Sequence, residues 1–320
     1  MLTQTLDLEA VLTALSAQIT FEQGLFWLDA GADAREGWSY LGYGTVTSDT
    51  AALRSTPITP DATAHPASPP VPPFSGGWVG WLSYEHGAQR AGAPVHIDET
   101  TLPEAWIAVS RAVAYDHESG GVWALAAESD LDAWQNALRA MSTESVEISE
   151  QAVGEASAMT PLPHAAQVTA RHSVGEYTTL VEQCRQAIRA GDAYQLCLTT
   201  RFSLPFTGDP IAAYLRLRRA NPAHHGGFVR VDQHALLSAS PEQFLSAADG
   251  RVGTKPIKGT RPRGATAEQD ASLARELFES EKERAENVMI VDLMRNDLSR
   301  VSTPGTIRVD ALWHLSLIHI

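Results

Sequence analysis

The sequence predicts a mixed helix-and-strand chain in two regions, on three observations. Apolar residues recur at helical spacing in some segments and form short strand-like runs in others. A Ser/Thr/Glu/Ala-rich stretch with two prolines separates the halves, with 146–166 as linker, 1–145 as an N-terminal region and 167–320 as a second region. The chain's 320 residues are 44% hydrophobic and 19% charged. That is ordinary globular composition, and the length suggests about two domains of about 150 residues each.

Leu6, Leu8, Val11, Leu12 and Leu15 predict a helix over 5–19. Leu25-Phe-Trp-Leu predicts a strand over 24–30. Seven prolines between 56 and 73 predict an exposed loop. Phe74–Glu85 is rich in Gly and aromatics and reads as a strand, with Gly76, Gly77 and Gly80 allowing close backbone packing. Trp106–Ser110 and Val113–Tyr115 read as strands, with Gly120-Gly121 as a hairpin turn. A helix is expected over 130–140. Beyond the linker, Tyr177, Leu180, Val181, Cys184 and Ile188 stripe a helix over 174–190 that ends at Gly191. Tyr194–Phe202 reads as a strand, Pro210–Ala220 as a helix, Gly227–Arg230 and Ala235–Ser238 as strands, and 267–301 as mostly helical.

Charge and cysteine content exclude several classes. A net charge of −14 lacks the basic surface that nucleic-acid and anionic-membrane binders need. Two cysteines, Cys184 and Cys197, make neither a disulfide framework nor a cysteine-rich zinc module, and both read as buried apolar residues. No basic residue precedes Arg35 and no apolar run reaches membrane-spanning length, so a cytoplasmic location is expected. Only three of the 24 basic residues are lysines: Lys255, Lys258 and Lys282.

Thr254–Gly264 packs four basic residues among Pro and Gly. Its bland reading is a basic surface loop. Lys, unlike Arg, can lose its proton when buried and act as a nucleophile, which makes Lys258 a candidate amine nucleophile; Lys255 and Lys282 read as solvated charges. Glu242 follows Ser240-Pro241 at the end of an apolar strand. It is either a solvent-facing carboxylate or a general acid/base held by the rigid Pro. Glu286 and Asp292 flank Val288-Met-Ile-Val, so partial burial and a partner are expected. The partner is either a flanking Arg (Arg284, Arg295, Arg300) or a hard cation such as Mg²⁺, and spacing alone favours the ion pair. His224-His225 reads as loop polar contacts rather than a metal pair, since adjacent side chains point apart on a strand.

Taken together, Tyr194-Gln195, Ser240-Pro-Glu242, Pro256-Ile-Lys258-Gly259-Thr260 and Glu286-Asn287 through Asn296-Asp297 resemble the hallmarks of the chorismate-utilising enzymes. That family includes component I of aminodeoxychorismate synthase and component I of anthranilate synthase. The resemblance implies an α+β fold, a large antiparallel β-sandwich flanked by helices and built jointly by both regions. It implies that Lys258 attacks C2 of chorismate as the C4 hydroxyl leaves, after which ammonia adds at C4 and expels the Lys. It further implies Glu242 as general acid/base, Glu286 as a Mg²⁺ ligand, and Gly259 and Thr260 at the substrate. Lys at position 258 matches the aminodeoxychorismate synthases, which serve p-aminobenzoate and folate synthesis, where anthranilate synthases usually carry Ala. Ammonia would come from a separate glutamine amidotransferase subunit.

Three departures accompany the resemblance. Gln243 stands where Arg is usual. The places matching the family's tryptophan site read Ala30, Trp38-Ser39-Tyr40-Leu41 and His224-His225-Gly226, and tryptophan binding does not follow from them. The family pattern stops after Gly305–Leu315, and Ser316–Ile320 does not continue it. The expectation is therefore a fold without its C-terminal part, with weak or no activity until completed. The alternatives are an anthranilate-forming lyase, in tryptophan biosynthesis, and a non-catalytic fragment.

Overall fold

The computed structural model describes residues 6–20, 22–47, 53, 71–95, 102–141 and 168–313. The expected 146–166 linker and nearly all of the proline-rich 56–73 loop lie outside them. The chain divides into two compact units, Met1–Ser149 with Ala213–Ile320, and Glu150–Ala212.

The first unit is built on a seven-stranded antiparallel sheet. Its strands are β1 (Gln23–Asp29), β2 (Trp38–Thr47), β3 (Trp78–Leu82), β4 (Glu104–Asp116), β5 (Val122–Ala126), β8 (His225–Val231) and β9 (His234–Ser240). The order is β3-β4-β2-β1-β8-β9, with β5 beside β4. β1 pairs with β2 on one side and β8 on the other, Trp27 facing Leu41 and Phe228. Strands from both regions of the sequence thus share one sheet, and the mixed α+β class is as expected.

Both faces of the central strands are buried, which explains why β1 reads as a continuous apolar run rather than an alternating one. One face carries Phe26, Tyr40, Ile107, Ala112, Ala114, Val229 and Val231, packed against Trp38, Phe74, Trp81 and Trp123. Helices cover the other face. Helix α1 (Leu8–Gln18) is capped by the Asp7 carboxylate and buries Leu8, Val11, Leu12 and Leu15. Helix α2 (Tyr84–Arg90) is capped by Ser83. A helix over 131–141, α3, places Trp134 edge-on to Tyr43, and the Trp134 indole N–H donates to the Ala112 carbonyl at 2.7 Å. In α5 (Pro210–Ala220), Tyr214 packs against Trp27 and Phe228.

The second unit holds a two-stranded ladder, β6 (Thr169–Ala170) with β7 (Phe202–Ser203), and helix α4 (Val174–Ala190). Ser173 and Glu176 form a capping box at the start of α4, and Gly191 closes it at φ 83°. Past β9, β10 (Ser246–Ala248) pairs with β11 (Arg251–Gly253), followed by α6 (Ala267–Glu279) and α7 (Glu281–Ser299).

Several expectations need correction. The Phe74–Glu85 segment is a strand only over Trp78–Leu82; the Ser83 hydroxyl then accepts the His86 N–H and starts α2. The two strands expected within 106–115 are one thirteen-residue strand, β4. β2, which no pattern predicted, has glycines at 42 and 44 in its interior. Tyr194–Phe202 is strand only at Phe202, because Thr169–Ala170 is its whole partner; extended residues without a neighbour form no ladder. Cys197 is exposed and Cys184 half-buried, because neither has a core around it.

Candidate functional site

Strand β9 ends at Ser240, opposite His225 in the register. The Ser240 hydroxyl then brackets the next turn, donating to the Glu242 carbonyl at 3.1 Å and accepting the Glu242 N–H at 3.4 Å. With Pro241 fixing the intervening φ, the Glu242 side chain is held over the 254–264 loop. There its Oε1 accepts the Ile257 N–H at 2.8 Å. Glu242 and the backbone of Ile257, the residue before Lys258, are thereby brought together at one end of the sheet. Glu242 and Thr260 are exposed, while Lys258 and Gly259 are half-buried.

The same loop rests on the α6–α7 hairpin. Arg261 donates to Glu276 at 2.8 Å and pairs with Glu283 at 3.6 Å. Arg263 grips Asp270 with two bonds of 2.8 and 2.7 Å, and the Gly264 N–H adds a third at 2.9 Å. Gly259 adopts φ 74°, and a Cβ there would lie 2.9 Å from Leu277 Cδ1 and 3.1 Å from Glu283 Cβ. Glycine is therefore required on both conformational and steric grounds. Two of the loop's four basic residues are spent fixing it to the helices. Lys255 is exposed, and Lys282, with its side chain 84% exposed, lies 3.9 Å from Glu283.

Glu286 sits one turn beyond Glu283 on the same side of α7, half-buried and engaged in an interaction of its own. Beside it, Asn287 Oδ1 is buried without a hydrogen-bond partner among the described residues. Asp292 does not share this burial. It is exposed and pairs with Arg295 at 3.2 Å, one turn along α7. Arg284, another of the three candidate partners, lies 4.1 Å above the Trp313 ring instead. Among the described residues no group of three His, Cys, Asp or Glu gathers as a metal site.

A second polar cluster lies behind the same end of the sheet, and sequence reasoning missed most of it. Asp29, nearly fully buried, receives Arg218 Nε at 2.5 Å, Arg218 Nη2 at 3.3 Å, the Tyr214 hydroxyl at 3.1 Å and the Gly31 N–H at 3.0 Å. Arg218 reaches on to Glu9 at 3.2 Å and stacks over Trp27 at 4.8 Å. The fully buried Ser39 accepts the Ala30 N–H at 3.1 Å and bonds His117 Nε2 at 2.8 Å. Burial lowers the Arg218 pKa, but the hydrogen bond and charge of Asp29, with Glu9, outweigh it and hold the guanidinium above its ordinary range. Burial raises Tyr214, with the Asp29 charge adding to it, and lowers His117 against the opposing pull of Asp29. Tyr40 is pushed up to about 12, mainly by burial. The available signal was Asp29 itself, a carboxylate closing an apolar run, which demands a buried cation.

The tryptophan-site-like residues fall around this cluster. Ala30, Ser39, Tyr40 and Leu41 are buried and Trp38 is half-buried. Gly226 pairs with Asp29, and His225 begins β8. His224 and His225 are exposed at the mouth of the sheet. The His225 pKa is lowered by burial first, then by the charges of His224 and Lys255, which places Lys255 within electrostatic reach of the Glu242 end.

Comparison with known proteins fits this arrangement. Residues 29–317 match the family model described as chorismate binding enzyme. The aminodeoxychorismate synthase of Streptomyces pristinaespiralis is 40% identical over 76% of this chain and 34% of its own length. The aminodeoxychorismate synthase component 1 of Klebsiella aerogenes is 37% identical over 78% of this chain and 52% of its own. The anthranilate synthase component 1 of Mycolicibacterium smegmatis is 31% identical over 97% of this chain and 66% of its own. The chain thus spans about a third to two thirds of the relatives it matches. Among solved structures, anthranilate synthase component I from Streptococcus pneumoniae TIGR4 superposes with a TM-score of 0.53 at 28% identity, covering 71% of this chain and 51% of that one. Fold, ordered motifs and family match agree: this chain belongs to the chorismate-binding enzyme family.

Proposed function

We propose that the chain belongs to a chorismate-aminating enzyme, forming 4-amino-4-deoxychorismate from chorismate and ammonia in the cytoplasm, toward p-aminobenzoate and folate. The observation that supports this reading is the 2.8 Å bond from the Ile257 N–H to Glu242 Oε1, which fixes the Glu242 carboxylate to the backbone of the residue next to the half-buried Lys258. The names of the relatives at 37% and 40% identity support it.

In this reading the neutral Lys258 amine forms a bond to C2 of chorismate while the C4–O bond breaks. Glu242 delivers a proton to the departing hydroxyl, which leaves as water. Ammonia then bonds C4, the C2–N bond to Lys258 breaks, and the surplus proton returns to Glu242. Gly259 lets the backbone pass close to α7, and Thr260 faces outward, where a substrate oxygen can reach its hydroxyl. Glu286 is the residue that would hold Mg²⁺, whose chemistry when bound is to offset the negative charge of the substrate carboxylates. Ammonia is supplied by a glutamine amidotransferase partner.

The chain spans 52% of the Klebsiella relative, so the assay uses this chain fused to the unmatched part of that protein. Chorismate, ammonium and Mg²⁺ should yield aminodeoxychorismate by mass spectrometry, and Lys258→Ala should lower its rate at least about a hundredfold, in the range of lost nucleophilic catalysis. Wild-type turnover by Lys258→Ala would exclude the nucleophile. The near-complete match to an anthranilate synthase component 1 favours one rival, and fluorescent anthranilate as the main product would establish it.

A further inference from the structure

Lys258 is half-buried, yet it has no hydrogen bond or ion pair among the described residues. The carboxylates next to it are engaged elsewhere. Glu242 Oε1 accepts the Ile257 N–H at 2.8 Å, and Glu286 has an interaction of its own. Glu283, on α7, lies against the residue that follows Lys258. Its Oε2 would be 3.1 Å from a Cβ on Gly259, and its side chain is only 15% exposed. A carboxylate so placed is poised to capture the amine. An opposite charge within about 4–6 Å favours the charged form by about one to three pKa units, which cuts the neutral amine about ten- to a thousandfold. A paired ammonium has no lone pair with which to attack.

Glu283 has a different partner. Arg261 Nη1 stands 3.6 Å from Glu283 Oε1 and also donates to the Thr260 carbonyl at 2.9 Å, while its Nε donates to Glu276 at 2.8 Å. The guanidinium is therefore tied to its own loop, to α6 and to α7 at once. Its planar fork keeps its charge and geometry fixed. Lys282, 3.9 Å from the same Glu283 oxygen with its side chain 84% exposed, is a much looser partner.

We infer that Arg261 is a positioning residue acting through Glu283: by holding this carboxylate it leaves the Lys258 amine unpaired and free to react. The inference deepens the amination reading, in which Lys258 attacks chorismate. The contact it describes lies within this chain and needs no substrate, so the two can fail separately.

The chain has three lysines, which supply an internal reference. The 320-residue chain, free of metal and substrate, is labelled with trace acetic anhydride, and acetylation of Lys255, Lys258 and Lys282 is read by peptide mass mapping. Arg261→Met should slow Lys258 at least about tenfold relative to Lys255, because the freed Glu283 pairs with it. Adding Glu283→Gln should bring Lys258 back to within about twofold of the parent chain. A merely structural role for Arg261 predicts the opposite sign, since a loosened or unfolded loop exposes Lys258 and speeds its acetylation. Unchanged or faster labelling of Lys258 in Arg261→Met overturns the inference. So does slowing that Glu283→Gln fails to reverse, or slowing of Lys282 in place of Lys258. Amination by the fusion should fall and recover with the same substitutions. Labelling that follows this pattern while amination does not upholds the inference and refutes Lys258 as the nucleophile.

Discussion

Asp29 shows how a single charge is made affordable inside this unit. Its side chain is 1% exposed and meets Arg218, Tyr214, Ser39 and a backbone N–H. Removing one partner of such a pair leaves the other buried and uncompensated. Asp29→Asn should therefore cost about 3–5 kcal/mol of unfolding free energy in urea melts. Glu9→Gln, at the better-solvated outer end of the same chain of charges, should cost at most about 1 kcal/mol. His117, bonded to Ser39, adds a pH dependence. Its folded pKa lies below the ordinary 6.5, so between the two values the unfolded chain holds the extra proton and stability rises with pH. The contribution is complete above 6.5 and is lost as pH falls through the folded value. Melting temperature should drop on going from about pH 7.5 to about pH 5, and His117→Gln should drop less over the same range. Of these residues, a sequence reader can find Asp29 by its position in an apolar run. Arg218 is one of many arginines, and only the fold selects it.

Among the elements, helices were the most legible. Val174–Ala190 and Pro210–Ala220 match their periodicity end to end, because helical spacing and capping residues are local. Strands were less so, because a strand exists only with its neighbour. Tyr194–Phe202 has a strand's composition but two residues of partner, whereas β2 has interior glycines and pairs along its whole length with β4. Those glycines are there for the neighbour. The register slips between Tyr43 and Gly44, and a Cβ on Gly44 would sit 1.8 Å from the Ala108 carbonyl oxygen. Gly44→Ala should destabilise the unit by about 1–3 kcal/mol, as overpacking does. Gly87→Ala, on α2 with open space around it, should be neutral or stabilise by up to about 1 kcal/mol, which calorimetry on the two variants would separate.

For the whole molecule, the rarity of lysine acquires a structural reading. Arginine serves the fixed contacts, at Asp29, Glu276, Glu283 and Asp270, where its planar fork matches a carboxylate. All three lysines lie in the loop and helix around Glu242 and Glu286. The motifs of this site were legible in the sequence as ordered segments. The join between them was not, because the Glu242–Ile257 bond and the Gly259 approach to α7 depend on tertiary folding alone. Central to the proposed function is Lys258 as the nucleophile toward chorismate. The most direct measurement is peptide mass mapping of the fusion described above, after incubation with chorismate and Mg²⁺ without ammonia. The expected result is an adduct on Lys258 with the mass of chorismate less one water, discharged to aminodeoxychorismate when ammonium is added. Aminodeoxychorismate formed with no such adduct, or an adduct on Lys255 or Lys282 in its place, would contradict it.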